Sequence, residues 1–102
     1  MKLIEAVINR FKLEEVRNVL DEIGVEEFLE SGVIYHSHQK GQVMMFRGAK
    51  FVANLVEKVK LEIITADDSV GKIVEAIGSI AGTGRNEDCR IAIRSYLEAI
   101  EG

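Results

Sequence analysis

The sequence predicts an α+β fold in which two helices cover one face of an antiparallel sheet. Three observations predict it. Two amphipathic segments of helical period each lie between stretches rich in β-branched residues. Those stretches alternate, so that each presents one apolar face and one mixed face. The strand, helix, strand pattern also occurs twice within 102 residues, a length that serves one core and not two, so residues 1–102 are expected to form a single domain.

The first strand is KLIEAVIN, residues 2–9. Leu13, Val16, Val19, Leu20 and Ile23 then recur at helical spacing, opposite Glu14, Glu15, Arg17, Asn18, Asp21 and Glu22, and Gly24 supplies a helix stop. Val25 to Tyr35 is a second extended stretch. Residues 35–51, YHSHQKGQVMMFRGAKF, carry neither a strand's alternation nor a helix's period and read as a long connection. KVKLEIIT, residues 58–65, is the third strand. Asp67, Asp68 and Ser69 offer N-capping oxygens to a helix whose apolar stripe is Val70, Ile73, Val74, Ile77 and Ile80. GTG at 82–84 ends it, RIAIR at 90–94 is the last strand, and the remainder is too short to assign. The order strand, helix, strand, long loop, strand, helix, strand is the ferredoxin-like double β-α-β sandwich.

Alternation separates the two sheet faces. Ile4, Ala6, Ile8, Val59, Leu61, Ile63, Ile91 and Ile93 face the helices. Leu3, Glu5, Val7, Lys58, Lys60, Glu62, Ile64, Arg90, Ala92 and Arg94 form the other face, apolar residues mixed with charges of both signs. Such a face suits a subunit interface or a polar ligand cleft. The plainer alternative is a solvated face whose charges neutralise one another across strands.

Composition excludes several classes. Acidic residues outnumber basic ones by 17 to 13, so no positive field favours nucleic acid. The single cysteine, Cys89, precludes an internal disulfide and fits a reducing cytoplasm. The opening MKLIEAVINRF reads as a strand and not as a signal peptide or membrane span, so direct membrane insertion is not expected.

MKLIEAVI, FKLEEVRNVLDEIGV, QKG, RGAKF, KVKLEI, DD and TG at 83–84 follow one another in the order and spacing of the PII signalling proteins, over about nine-tenths of the chain. The chain thus resembles a divergent PII-like protein. The resemblance implies a homotrimer with adenine nucleotides in intersubunit clefts and a docking segment, the T-loop, at about residues 37–55. It implies a membrane transporter or metabolic enzyme as the regulated partner. Residue by residue, it implies nucleotide contacts at Val7, His38, Gln39, Lys58, Glu62, Ile64, Thr83, Gly84, Arg85, Asp88 and Arg90. An anionic effector, 2-oxoglutarate or bicarbonate, would meet Gln39, Lys40, Gly41 and Lys58, with Mg2+ beside ATP at Gln39.

The departures from the family pattern are chemical. The phosphate loop of the family approximates TGxxGDGK, where glycines let backbone N–H groups approach oxyanions. Here it reads TGRNEDCR, with Glu87 and Cys89 in place of two glycines. Glu87 opposes a triphosphate, so ADP or AMP is expected ahead of ATP, while Arg85 and Arg90 compensate in part. Phe51 stands where some members carry a modified tyrosine, and without a hydroxyl it cannot be uridylylated.

Two other chemistries compete with this reading. His36 and His38, with Met44 and Met45, could hold copper or zinc, although two histidines do not close a site; the methionines serve equally as packing or docking surface. Cys89 beside Arg90 could be a reactive thiolate, but no histidine is near in sequence, and catalysis is not expected.

Overall fold

Strand β1 (Lys2–Asn9) pairs on both sides, with β5 (Leu55–Thr65) and with β6 (Cys89–Ser95), and β2 (Leu29–His36) completes a sheet of order β2-β5-β1-β6 on the far side of β5. Every pairing is antiparallel. Helix α1 (Leu13–Glu22) links β1 to β2 across β5, and α2 (Val70–Ala81) links β5 to β6 across β1. This is the ferredoxin-like α+β arrangement. The structure is a computed structural model and describes residues 1–36, 43–46, 49–52, 55–84 and 88–96, of which 43–46 and 49–52 as backbone.

The helix-facing side of the sheet is apolar because period-2 alternation on β1 and β5 places Ile4, Ala6, Ile8, Val59, Leu61 and Ile63 on it, each at most 4% exposed. Val16 and Leu20 of α1 and Ile73, Ile77 and Ala81 of α2 close over them. Truncating a side chain such as the fully buried Leu61 to alanine costs about 2–5 kcal/mol in cores of this kind. Ile93 departs from the expectation. It is 49% exposed, since β6 is an edge strand and the helices bury the two central strands most completely.

Helix α1 ends in a Schellman motif. Gly24 adopts φ +88°, its N–H bonds the Asp21 carbonyl at 3.1 Å, and the Val25 N–H bonds that of Leu20 at 2.9 Å. Residues 25–28 lie outside the sheet, and β2 starts at Leu29 and not at Val25. At the start of α2 the expected side-chain cap is absent: Ser69, the N-cap residue, makes no capping hydrogen bond. Asp67 to Ser69 form a 3-10 turn instead, and its backbone carbonyls take the place of the side-chain oxygens.

The connection between β2 and β5 holds a second, two-stranded sheet, β3 (Val43–Phe46) against β4 (Ala49–Val52), with Met44 opposite Phe51 and Met45 opposite Lys50. VMMF and AKFV are apolar enough to pair, and the two intervening residues are a hairpin's separation. β5 also begins at Leu55, three residues before the expected start at Lys58.

Candidate functional site

On the outer sheet face, β5 and β1 bring like charges together: Glu5 and Glu62 are register partners. Lys60 offsets this, lying 3.6 Å from Glu5 and 3.9 Å from Glu62, and Arg94 of β6 reaches Glu5 at 3.4 Å. The middle of the face is therefore a neutralised belt, as the plainer alternative anticipated. Its two ends differ from the belt and from each other.

At one end lies a cavity of about 380 Å³ lined by Leu3, Glu27, Phe28, Leu29, Glu62 and Ile64. Of the expected site residues it contains Glu62 and Ile64. Leu29 is 70% exposed and Ile64 42%, which leaves an apolar rim beside two carboxylates.

At the other end Lys58 is 4% exposed, the buried charged side chain of the described residues. The Tyr35 ring covers it, with the ammonium 4.6 Å from the ring centroid, and the Arg90 guanidinium lies 5.9 Å from the same centroid. Tyr35 reaches them because Val33 is the register partner of Lys58, so Tyr35 stands on the diagonal one pleat further along β2. Arg90 stands opposite Val7, a partly buried residue that contributes apolar surface to the same face.

The turn leading into β6 is tied down beside this cationic end. Asp88 accepts a hydrogen bond from the Asn9 side-chain amide at 3.1 Å and another from the Thr83 hydroxyl. Gly84 takes φ +85° between them, a conformation that favours glycine. A Cβ on Gly82 would come within 2.6 Å of the Gly78 carbonyl oxygen, so the exit from α2 requires glycine there as well.

Of the expected site residues, Val7, Lys58, Glu62, Ile64, Thr83, Gly84, Asp88 and Arg90 are described, all on the outer face or at the turn into β6. His38, Gln39, Lys40, Gly41 and Arg85 lie outside the described residues, as do Ser37 and Glu87. His36 ends β2, exposed, opposite Leu55. Among the described residues no group of three or more His, Cys, Asp or Glu side chains is placed to hold a metal ion.

Burial pushes the Cys89 thiol upward, more strongly than nearby Lys58 lowers it, and the side chain packs against the core. That contradicts the reactive thiolate considered from the sequence: Cys89 is the register partner of the core residue Ile8, so its side chain turns inward.

Sequence reasoning missed Tyr35, Asn9 and the cavity wall formed by Leu3, Phe28 and Leu29. Extending β2 to His36 and pairing it with β5 would have assigned Tyr35 to the face of Lys58 by parity alone.

The comparisons agree with this architecture. A sequence model of the family described as "Nitrogen regulatory protein P-II" matches residues 1–95. The chain is 39% identical over 100 residues to the nitrogen regulatory protein P-II of Bradyrhizobium diazoefficiens, an alignment covering 98% of this chain and 89% of that protein. It is 41% identical to the nitrogen regulatory protein P-II of Cereibacter sphaeroides and 34% identical to the nitrogen regulatory protein GlnK of Escherichia coli, with the same coverage. With nearly the whole length matched and the double β-α-β topology in place, the chain belongs to the nitrogen regulatory protein P-II family.

Proposed function

We propose that the chain is a non-catalytic regulator that binds an adenine nucleotide between copies of itself, in a homotrimer, and acts on a transporter or metabolic enzyme through the segment at 37–55. The observation that carries this reading is the separation of the two unlike ends of the outer face. Lys58 and Ile64 are six residues apart on β5, about 20 Å at about 3.3 Å per residue. The apolar cavity at Glu62 and Ile64 has no cation among its described lining residues. The cationic end at Lys58 and Arg90, beside the Thr83–Gly84 turn, has the chemistry for phosphate.

A nucleotide spanning both ends of one chain would lay its phosphates along the belt that contains Glu5 and Glu62. Placing the base against one copy and the phosphates against the next avoids that repulsion. The exposed apolar rim of Leu29 and Ile64 supports burial against another copy.

ADP or AMP is favoured over ATP because Glu87 adds a negative charge next to Asp88 in the phosphate loop. When ATP binds, Mg2+ would be held at Gln39, and an anionic effector such as 2-oxoglutarate or bicarbonate would meet Gln39, Lys40, Gly41 and Lys58. The reading places the protein in the cytoplasm. No helix among the described residues is long and apolar enough to cross a membrane.

Calorimetry with ATP, ADP and AMP, with sedimentation on the same samples, tests the proposal. A trimer that binds ADP or AMP more tightly than ATP is the expected result. No heat from any of the three at millimolar concentration would sink it.

A further inference from the structure

Among the described residues, the outer face removes one cation from water without giving it an anion. Lys58 is 4% exposed, and among the described residues no carboxylate lies within ion-pair distance of its ammonium. A buried charge without a counter-charge is costly. What meets Lys58 is the π face of Tyr35 at 4.6 Å, an attraction that offsets part of the lost hydration. The same ring serves Arg90, on the far edge strand, at 5.9 Å.

One neutral ring thus lies against two cations from two strands, the groups to which an oxyanion would be drawn. Charge-assisted hydrogen bonds from an ammonium and a guanidinium to phosphate or carboxylate oxygens are stronger than either cation's contact with the ring. For such an anion to reach Lys58, the ring has to leave. Tyr35 is placed to do so: it is half-buried, one residue from the end of β2, and β2 is an edge strand paired on one side.

We propose that Tyr35 is a cover on an oxyanion site made by Lys58 and Arg90, and that it weakens and filters phosphate and carboxylate ligands by having to be displaced from the ammonium. The inference rests on the reading that these two cations face an anionic ligand. It adds that the chain supplies its own competitor for the site. A small oxyanion has only its charge with which to move the ring, whereas a nucleotide also has the contacts of its base. The cover accordingly discriminates against free phosphate and free carboxylates.

The test compares the full-length chain with Tyr35→Leu, Tyr35→Ala and Lys58→Ala by calorimetry. The probes are inorganic phosphate, 2-oxoglutarate and ADP, which separate a free phosphate, a free carboxylate and a nucleotide phosphate. Removing the ring should tighten binding of at least the two small anions by roughly two- to thirtyfold, the fold-change equivalent to one cation–π contact. Leucine keeps apolar bulk on the strand should alanine prove too disruptive. Lys58→Ala should lose small-anion binding.

A second readout needs no ligand. Acetic anhydride should label Lys58 more slowly than the half-exposed Lys60 in the wild type, and Lys58 labelling should accelerate in both Tyr35 variants. If Lys58→Ala loses binding while both Tyr35 variants bind no more tightly than wild type, the cover is wrong and the anion site stands. If Lys58→Ala changes nothing, it is the anionic reading of this end that fails. If no probe binds the wild type, binding gained in the Tyr35 variants supports the cover, and none in any variant overturns it.

Discussion

Lys60 stands between two carboxylates that face each other, 3.6 Å from Glu5 on the neighbouring strand and 3.9 Å from Glu62 on its own. Like charges directly opposite across a sheet destabilise it. Lys60→Met should therefore lower stability in urea unfolding by about 1 kcal/mol. Adding Glu5→Gln should recover much of that loss, because it removes the repulsion that the lysine had masked. A double variant no more stable than Lys60→Met alone would show that the belt does not act as a unit.

Arg17 and Glu30 give a pH-dependent contribution of known sign. The guanidinium donates to both carboxylate oxygens, at 2.9 and 2.6 Å, and this holds the Glu30 carboxyl below its ordinary range. A lowered folded-state pKa means stability that is present above the unfolded value and is lost as pH falls through the folded one. Wild type should thus exceed Glu30→Gln at neutral pH, and the gap should close as the solution is acidified below about pH 4.3. The gap should be small and should shrink with added salt, because both side chains are partly exposed.

Two glycines four residues apart should respond in opposite directions to the same change. A Cβ at Gly78 meets nothing within 4 Å, so Gly78→Ala should stabilise α2 by about 1 kcal/mol through helix propensity. At Gly82 the Cβ would meet the Gly78 carbonyl oxygen at 2.6 Å, and Gly82→Ala should destabilise by about 1–3 kcal/mol. Thermal unfolding of both variants checks the pair, and shifts of one sign for both would refute the packing account.

Cys89 should be a sluggish nucleophile. Its thiol is held above the ordinary range by burial against the core, so iodoacetamide at pH 8 should alkylate it roughly tenfold or more slowly in the folded than in the urea-unfolded chain. Equal rates would mean that the side chain is not packed inward.

The helix-facing half of the sheet was legible because β1 and the part of β5 from Val59 to Ile63 alternate, and Ile4, Ala6, Ile8, Val59, Leu61 and Ile63 are all buried. Helix periodicity and the Gly24 stop were equally direct, being local. What the sequence hid depends on pairing partners. The hairpin β3–β4 carries no long alternation, and Ile93 looks like core until its strand is found at the edge of the sheet.

The candidate site was legible in its residue types and not in its layout. Lys58 was expected to contact ligand, but only the diagonal from Tyr35 reveals that it is covered. Glu62 and Lys58 read as one site in sequence, yet strand geometry puts them about 13 Å apart, at four residues of about 3.3 Å each. Asp88 was expected near a nucleotide, and the sequence did not show that its carboxylate also holds Asn9 and Thr83.

That last arrangement has a bearing on how such a protein can change. Asp88 fastens the end of β1 and the exit of α2 to the start of β6. A substitution such as Asp88→Ala should therefore be felt at three elements at once, loosening the exit of α2 and the end of β1 together with the start of β6. The carboxylate is in this sense a keystone, one side chain in which a strand end and a helix exit share a single point of support.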